Sequence, residues 1–356
     1  MGCADTAIAG GGIIGLATAL ELAAEGYKVT VFDKDEAMSE ASRAAAGMLA
    51  GNDPENPPEL RELARLSLQL YPDFLARVEE LSGAKIPIRT NCTVQGAKQL
   101  PPGVRALSDA EVREFAPRVA MEEWYFFLLE EQSFDAWDLA EALPRAALAA
   151  GIELREHTAV QGVRSGNGGV EVETPAGVVP AGTFVNCAGA WSAALDALPV
   201  APRKGHMLTA TLPGLCQMRC VLRTPKVYIV PRGENRYTIG PTVESAGFDK
   251  QVLNERIEEL LERAAELWPP LRDARISETW TGLRPGSEDG LPILDRIEAN
   301  RWVATGHYKY GILLGPATGR VMSQWIQRNQ PEVEISAFRA GRFDDSPVLS
   351  RHASLT

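Results

Sequence analysis

Three glycines near the N-terminus and one downstream carboxylate have the types and spacing that bind a dinucleotide. The segment reads Gly10-Gly11-Gly12-Ile13-Ile14-Gly15. Gly10 permits a tight turn, Gly12 lets the backbone approach a pyrophosphate, and Gly15 lets a helix pack against the preceding strand. Asp33 follows at about the offset typical of a carboxylate that binds a ribose hydroxyl. Because a carboxylate repels a 2′-phosphate, this motif disfavours NADP and leaves NAD and FAD open.

The glycine loop lies inside a predicted βαβ unit. Thr6–Ala9 is a short apolar run, Ile13–Glu25 has apolar residues at helical spacing, and Lys28–Phe32 is rich in β-branched residues. Gly26 suits a left-handed C-cap at the end of the helix. Since a helix that starts at a Gly-rich turn directs its first amides and its dipole at phosphates, the context favours nucleotide binding over a purely structural turn.

Other elements follow from hydrophobic periodicity and turn residues. Further helices are predicted at residues 59–81, 109–115, 137–150, 254–268 and 316–327. Strands are predicted at residues 152–163, 169–174 and 177–178, as a meander with an Asn167-Gly168 turn, and at 183–186, between 207 and 239, at 275–283 and at 302–305. The strand-rich stretches interrupt the α/β stretches, which predicts two interleaved domains.

The predicted fold class is α/β, or α+β overall. It combines a Rossmann-like dinucleotide-binding domain with a smaller substrate domain built mostly on an antiparallel sheet. The first domain is predicted to contain residues 1–82, 138–205 and 288–340, and the second residues 83–137 and 206–287. Residues 341–356 are predicted to be a loose tail.

Composition excludes several classes of protein. The 356-residue chain has a formal net charge of −11, which argues against binding to nucleic acid or to an anionic membrane. The odd number and scattered spacing of the cysteines predict no disulfide framework and no metal site. They are Cys3, Cys92, Cys187, Cys216 and Cys220. Without a secretory signal or a membrane-spanning run, the expected location is cytoplasmic.

Six segments in order together resemble the D-amino-acid-oxidase-like FAD-dependent oxidoreductases, and within them the glycine oxidases of the thiamine-biosynthesis type. They are Gly10–Gly15, Ala41–Leu49, Asn186–Ser192, Tyr228–Arg232, Thr281–Pro285 and Gly306–Gly315. The resemblance runs from about residue 6 to about residue 340 and implies that the dinucleotide is FAD. No cysteine stands at a family position for covalent attachment, so the expected FAD is non-covalent.

The resemblance also implies a set of cofactor-binding positions. Beside Gly10, Gly12 and Gly15 of the glycine loop, they are Ile13 and Ile14 at the pyrophosphate, Asp33 and Lys34 at the adenosine ribose, Ala41, Ser42, Ala46, Gly47 and Met48 along the ribityl and isoalloxazine, Val160 at the adenine, Gly189, and His307, Tyr308, Lys309, Tyr310, Gly311, Ile312 and Leu313 at the pyrimidine edge of the flavin. Gly311–Leu314 are expected to lead into a helix at Pro316, whose N-terminus would stabilise the reduced, anionic flavin.

The resemblance places Arg284 on the carboxylate of an amino-acid substrate, which a guanidinium binds as a two-bond fork. Tyr228 is expected to donate its hydroxyl to the same carboxylate. The chain departs from the glycine oxidases at Lys309-Tyr310, where they usually have Arg-Asn. Lys309 is therefore expected to be a weaker second cation for the carboxylate, or a group that helps oxygen to accept electrons. His206 is expected to lie at a crossover between the domains.

The implied reaction is oxidative deamination of glycine or a similar small amine-bearing acid, such as sarcosine or D-alanine. Hydride transfer to flavin N5 would give an imine, which water hydrolyses, and molecular oxygen would reoxidise the flavin and release hydrogen peroxide. The alternative is a flavin-dependent dehydrogenase of D-amino acids or secondary amines with a non-oxygen acceptor. A nicotinamide-dependent dehydrogenase does not account for the C-terminal motif, Gly306–Gly315, and a non-catalytic nucleotide-binding protein is a third possibility. A homo-oligomer is a possible assembly.

Overall fold

A computed structural model describes residues 4–166, 168–214 and 218–344. The described helices are α1 (Ile13–Ala24), α2 (Arg61–Ser82), α3 (Asp109–Phe115), α4 (Ala136–Ala149), α5 (Asn254–Leu267) and α6 (Gly311–Ile326). The described strands are β1 (Ala4–Ala9), β2 (Val29–Phe32), β3 (Ile88–Thr90), β4 (Thr93–Ala97), β5 (Tyr125–Leu129), β6 (Ser133–Phe134), β7 (Glu153–Arg155), β8 (Gly162–Gly166), β9 (Gly169–Thr174), β10 (Gly177–Asn186), β11 (Val200–Thr211), β12 (Val221–Arg223), β13 (Tyr228–Gly233), β14 (Arg236–Gly240), β15 (Arg275–Ser287), β16 (Ile293–Glu298) and β17 (Arg301–Thr305). Cys3, Cys216, the Asn167 of the predicted turn and residues 345–356 lie outside the described residues.

The larger sheet has the strand order β16-β17-β10-β1-β2-β7 and is extended by the β8–β9 hairpin next to β10. Its central strand β1 pairs in parallel with β2 and with β10, so that Ile8 lies opposite both Val31 and Val185. All three side chains are fully buried. A parallel sheet covered on both faces needs such continuous apolar strands, which is why β1 and β2 read as short apolar runs in the sequence.

The first and last helices pack against each other over small residues. A Cβ on Gly319 of α6 would lie under 3.0 Å from the backbone of Ala17 in α1, and a Cβ on Gly315 would lie 2.8 Å from the side chain of Ile13. The absence of side chains at these two glycines lets the helix axes approach closely. This packing brings the N-terminus of α6 next to the glycine loop, although about 300 residues separate them in sequence.

The second sheet has the strand order β15-β11-β14-β13-β12-β4-β5, and all but one of its strand pairs are antiparallel. In its long β11–β15 pair, Gly205 lies opposite Gly282 and Arg203 opposite Arg284. Helix α5 contributes its buried face to the core beneath this sheet.

The two sheets confirm the predicted fold class. β11 continues across the predicted domain boundary between residues 205 and 206, and the division into two domains stays a prediction.

Two strand predictions were wrong in their boundaries. Residues 152–163 do not form one strand of the meander, because β7 pairs in parallel with β2 while β8 begins only at Gly162. The separate strands predicted at 177–178 and 183–186 are one strand, β10. Its first half pairs with β9 and its second half with β1, so one chain segment serves both the meander and the parallel sheet.

Helix α6 begins at Gly311, five residues before the predicted start at Pro316. A proline inside a helix removes the N–H that would bond the carbonyl four residues earlier, here that of Ile312. The buried Tyr71 hydroxyl donates a hydrogen bond to this carbonyl instead. The tertiary contact therefore satisfies the group that the proline leaves free, and the segment 311–314 is the first turn of the helix rather than a loop before it.

The first residues of the predicted tail are packed. Phe343 is 6% exposed, within a small cluster that includes Val303. The guanidinium of Arg342 bonds the carboxylate of Asp289 at 2.8 Å and the carbonyl of Leu291 at 3.1 Å. The prediction of a loose segment from Gly341 onward is thus wrong for residues 341–344.

Candidate active site

The glycine loop has the close backbone contacts that its spacing predicts. Gly10 has a φ of +104°, and a Cβ there would lie within 3.0 Å of the carbonyl of Cys187. A Cβ on Gly15 would overlap the carbonyl oxygen of Gly10. Both positions therefore require glycine, the first for its backbone angle and the second for the packing of α1 against β1.

The N-terminus of α1 is open toward a cavity. Its N-cap residue is Gly12, which has no side chain to bond the first amides. Ser42 lies beside it, and its hydroxyl accepts a hydrogen bond from the Ile13 amide at 3.0 Å. A helix N-terminus without a capping side chain at its N-cap presents N–H groups and a positive dipole end, the arrangement that suits a pyrophosphate.

The carboxylate predicted at the ribose is held by backbone amides. Asp33 accepts hydrogen bonds from the amides of Gly11 at 2.7 Å and Asp35 at 2.9 Å. Burial raises the pKa of the Asp33 carboxyl, and the two backbone bonds oppose this shift only in part. The Nζ of Lys34 pairs with Glu40 at 2.9 Å and lies 4.1 Å from the ring centroid of Trp191. These side chains lie together at one end of the cavity.

The cavity measures about 480 Å³ and lies between the two sheets. Every sequence-predicted site residue except Gly15 lines it. Those lining it are Gly10, Gly12, Ile13, Ile14, Asp33, Lys34, Ala41, Ser42, Ala46, Gly47, Met48, Val160, Gly189, Tyr228, Arg284, His307, Tyr308, Lys309, Tyr310, Gly311, Ile312 and Leu313. Gly15 faces the Gly10 carbonyl instead, in agreement with its packing role.

Arg284 and Tyr228 come from the second sheet, on β15 and β13. Nη1 of Arg284 donates to the Thr242 carbonyl at 3.3 Å, and its guanidinium lies directly over Gly205, where a Cβ would come within 3.0 Å of three guanidinium atoms. The Tyr228 hydroxyl lies 3.4 Å from Sδ of Met207. Burial raises the pKa of Tyr228 and outweighs the opposing effect of the nearby Arg284, so the phenol stays a proton donor at neutral pH.

The C-terminal motif contributes mostly uncharged groups to the cavity. The buried His307 has an Nε2 contact of 3.1 Å with the Thr318 hydroxyl, and burial lowers its pKa to about 3, so the ring is neutral at physiological pH. Lys309 is exposed, with Nζ 5.3 Å from the ring centroid of Tyr310. Tyr310 is the N-cap of α6 and makes no side-chain capping bond. The positive end of α6 therefore points into the cavity as a second helix N-terminus.

Sequence reasoning missed several lining residues, of which Arg223 is the most unusual. Arg223 is 7% exposed; it donates a hydrogen bond to Gln95 at 2.8 Å and forms ion pairs with Glu131 at 3.0 Å and Asp53 at 3.3 Å. Two of these partners, Gln95 and Asp53, also line the cavity. No spacing in the sequence connects these residues, which come from four separate segments. Gly205 was missed for the same reason, since only the fold brings it under Arg284.

Across residues 4–166, 168–214 and 218–344, no cluster of three or more His, Cys, Asp or Glu side chains is arranged to hold a metal ion. Cys92, Cys187 and Cys220 are free thiols. None of the helices in the described part of the chain combines the length and the apolar character that a bilayer crossing requires.

The site fits a dinucleotide with a redox ring. One cavity is lined by glycines at which a Cβ would clash, by two helix N-termini and by the partly buried Asp33 carboxylate, and the Arg284 guanidinium of the second sheet lines it as well. A family model described as FAD dependent oxidoreductase matches residues 5–325. The chain therefore belongs to the FAD-dependent oxidoreductase family, which confirms the predicted resemblance and the predicted cofactor.

Its relatives narrow the class further. The chain is 35% identical to the glycine oxidase of Geobacillus kaustophilus over 95% of this chain and 97% of the relative. The crystal structure of glycine oxidase from Geobacillus kaustophilus matches with a TM-score of 0.90 at 32% identity, over 96% of this chain and 99% of that chain. The bifunctional protein ThiO/ThiG of Trichormus variabilis is 35% identical over 99% of this chain, which spans only 58% of that relative. These similarities confirm an FAD-dependent amino-acid oxidase, an enzyme of amine oxidation.

Proposed function

We propose that the enzyme oxidises glycine or a similarly small amine-bearing acid, such as sarcosine or D-alanine, and passes the electrons to molecular oxygen. The observation that carries the proposal is the position of Arg284. Its guanidinium lies in the same cavity as the glycine loop. There it packs over Gly205 and donates a hydrogen bond to the Thr242 carbonyl. The full-length similarity to glycine oxidases supports the small substrate.

The side chains supply binding and orientation. Arg284 presents a planar pair of donors to a carboxylate, and Tyr228 is a neutral phenol that donates to the same group. When bound, FAD supplies the acceptor for the substrate electrons and the group that molecular oxygen reoxidises. The second sheet holds the substrate carboxylate, and the helix N-termini hold the dinucleotide. This arrangement fixes the distance between substrate and dinucleotide, which is the main catalytic contribution of such a site.

Peroxide release across a panel of small amino acids and N-methylated amines tests this proposal. We expect release with glycine, sarcosine or D-alanine, with oxygen uptake in equal amount. Reduction of the bound flavin by these substrates without oxygen uptake would instead favour the dehydrogenase. If no member of the panel bleaches the flavin under anaerobic conditions, the proposed function is wrong.

We propose that Gly205 is essential to the carboxylate site although it has no functional group. In Gly205→Ala the new methyl would occupy the place of the guanidinium, and the flexible end of Arg284 would move rather than the strand. We expect the KM for the amino acid to rise by about 10- to 100-fold, because a displacement on the order of 1 Å is enough for such a loss. FAD content should stay unchanged. Gly166→Ala is the matched control, since this strand glycine has open space around it.

We propose that Lys309 favours the transfer of electrons to oxygen. An exposed cation at the cavity stabilises negative charge that develops on oxygen, and the effect is screened by salt. Lys309→Met should slow reoxidation of the reduced enzyme by roughly fivefold at low ionic strength, measured by rapid mixing with oxygenated buffer. Lys98→Met provides the comparison, because Lys98 is exposed and packs over Trp124 instead. Equal rates for Lys309→Met and wild type would remove the assignment.

A further inference from the structure

His206 lies on β11 one residue after Gly205 and is completely buried. Because side chains alternate along a strand, its ring lies on the opposite face of the sheet from the Arg284 guanidinium that covers Gly205. The amide of Leu253 donates to Nε2 of His206 at 3.1 Å. A backbone N–H can only donate, so Nε2 carries the lone pair and the ring proton is on Nδ1.

The Nδ1 proton is directed at a short segment after β14. Nδ1 lies 2.9 Å from Oε1 of Glu244 and 3.2 Å from the Thr242 hydroxyl. The Thr242 hydroxyl accepts from the His206 amide at 2.8 Å and donates to the same Glu244 oxygen at 2.7 Å. Burial alone would raise the pKa of the Glu244 carboxyl, but the bonds from Thr242 and His206 lower it overall. The ionised carboxylate therefore stays the acceptor of both bonds.

One ring thus holds both ends of the 242–253 connection, the segment between β14 and α5. Thr242 is held through Nδ1 and Glu244, and Leu253 is held through Nε2. The middle of the connection contacts the dinucleotide end of the cavity, where the Phe248 ring lies 5.3 Å from that of Trp191 and the Nζ of Lys250 pairs with Glu40 at 3.0 Å.

The carbonyl of Thr242 is the group that accepts the hydrogen bond from Arg284 at 3.3 Å. We infer that His206 is a positioning residue, which holds Thr242 so that its carbonyl orients the Arg284 guanidinium toward the substrate carboxylate. The inference rests on the proposed role of Arg284. It assigns a function to a buried histidine that is not itself among the residues lining the cavity.

Two isosteric substitutions separate the two sides of the ring. His206→Asn keeps an N–H near the Nδ1 position and loses the acceptor for Leu253, whereas His206→Gln keeps an acceptor near Nε2 and loses the donor to Glu244. We expect His206→Gln to raise the Kd of glycolate by about tenfold and His206→Asn by less than about threefold, because misplacement of the binding group is what costs affinity. Perturbation of the flavin absorbance measures this Kd, and the Kd of FAD should stay unchanged.

Two further measurements distinguish positioning from a merely structural role. Glycolamide, which lacks the carboxylate charge, should bind equally to wild type and to His206→Gln. Amide hydrogen exchange of Leu253, in the presence or absence of FAD, should be faster in His206→Asn and unchanged in His206→Gln. If His206→Gln does not fold, Thr242→Val removes the hydroxyl, keeps the carbonyl and should show the same selective loss of glycolate affinity.

Unchanged glycolate binding in a folded His206→Gln variant that oxidises glycine would overturn the inference alone. Equal weakening of glycolate and glycolamide would also overturn it, since the effect would then not pass through Arg284. A wild-type enzyme that binds no carboxylate would overturn the proposed function and the inference together, and the Leu253 exchange would still report whether the ring contacts are present.

Discussion

Replacing Arg284 with alanine is expected to lower kcat/KM for the amino-acid substrate by about 100- to 1,000-fold, equivalent to ~3–4 kcal/mol of transition-state binding. The carboxylate would lose its only proposed bidentate partner, and the neutral Tyr228 and the exposed Lys309 would be the remaining proposed donors to it. Steady-state kinetics on the FAD-loaded variant measure the effect. The FAD content should not change, because Arg284 lies on the second sheet and not at the glycine loop.

Arg203 provides a matched control for this variant. It lies opposite Arg284 in the β11–β15 register, and its guanidinium bonds the Ser245 hydroxyl at 2.6 Å at the surface of the protein. Arg203→Ala should therefore leave kcat/KM within about threefold of wild type. Arg284→Lys should fall between wild type and Arg284→Ala, since a lysine keeps the charge and loses the fork. A loss below tenfold in Arg284→Ala would contradict the assignment.

The Gly10→Ala variant is expected to lose FAD. A methyl at this position meets the Cys187 carbonyl, which belongs to the backbone directly after β10, so no side-chain rotation relieves the clash, and φ is +104°. We expect a loss of at least ~3 kcal/mol, on the order of 100-fold in FAD affinity. The ratio of flavin absorbance to protein absorbance in the purified variant, followed by titration of the apoprotein with FAD, measures it.

Gly26→Ala separates backbone strain from the clash at Gly10. Gly26 has a φ of +85° at the end of α1, and a Cβ there would have no neighbour within 4 Å. Its substitution should cost only the strain of the left-handed angle, about 1 kcal/mol of folding free energy, with full FAD content. Equal FAD affinity in Gly10→Ala and Gly26→Ala would show that the close approach to Cys187 does not shape the cofactor site.

The local motifs were predictable because each depends on neighbours in the sequence. The βαβ unit around Gly10–Gly15 is where the spacing places it, since strand, turn and helix follow one another directly. The second sheet was expected from its turns and alternating strands. Helix α6 was predicted to begin five residues too late, because a proline normally stands in the first turn of a helix. In α6 the proline is the sixth residue, and the hydroxyl of Tyr71, from a distant helix, bonds the Ile312 carbonyl that the proline leaves free.

The spacing of the glycines and of Asp33 by itself predicted a dinucleotide site, since that motif depends only on neighbours within one short segment. The resemblance of six ordered segments to one family then implied FAD and the residues that could bind a carboxylate. Only the tertiary structure decided how Arg284 is held. Gly205 under its guanidinium and the next residue, His206, come from β11, and the Thr242 carbonyl comes from the connection after β14, so both segments are distant in sequence from Arg284. The pairing of β11 with β15 and the path of the 242–253 connection bring these groups to Arg284. Such contacts between distant segments cannot be predicted from a periodic pattern along the chain.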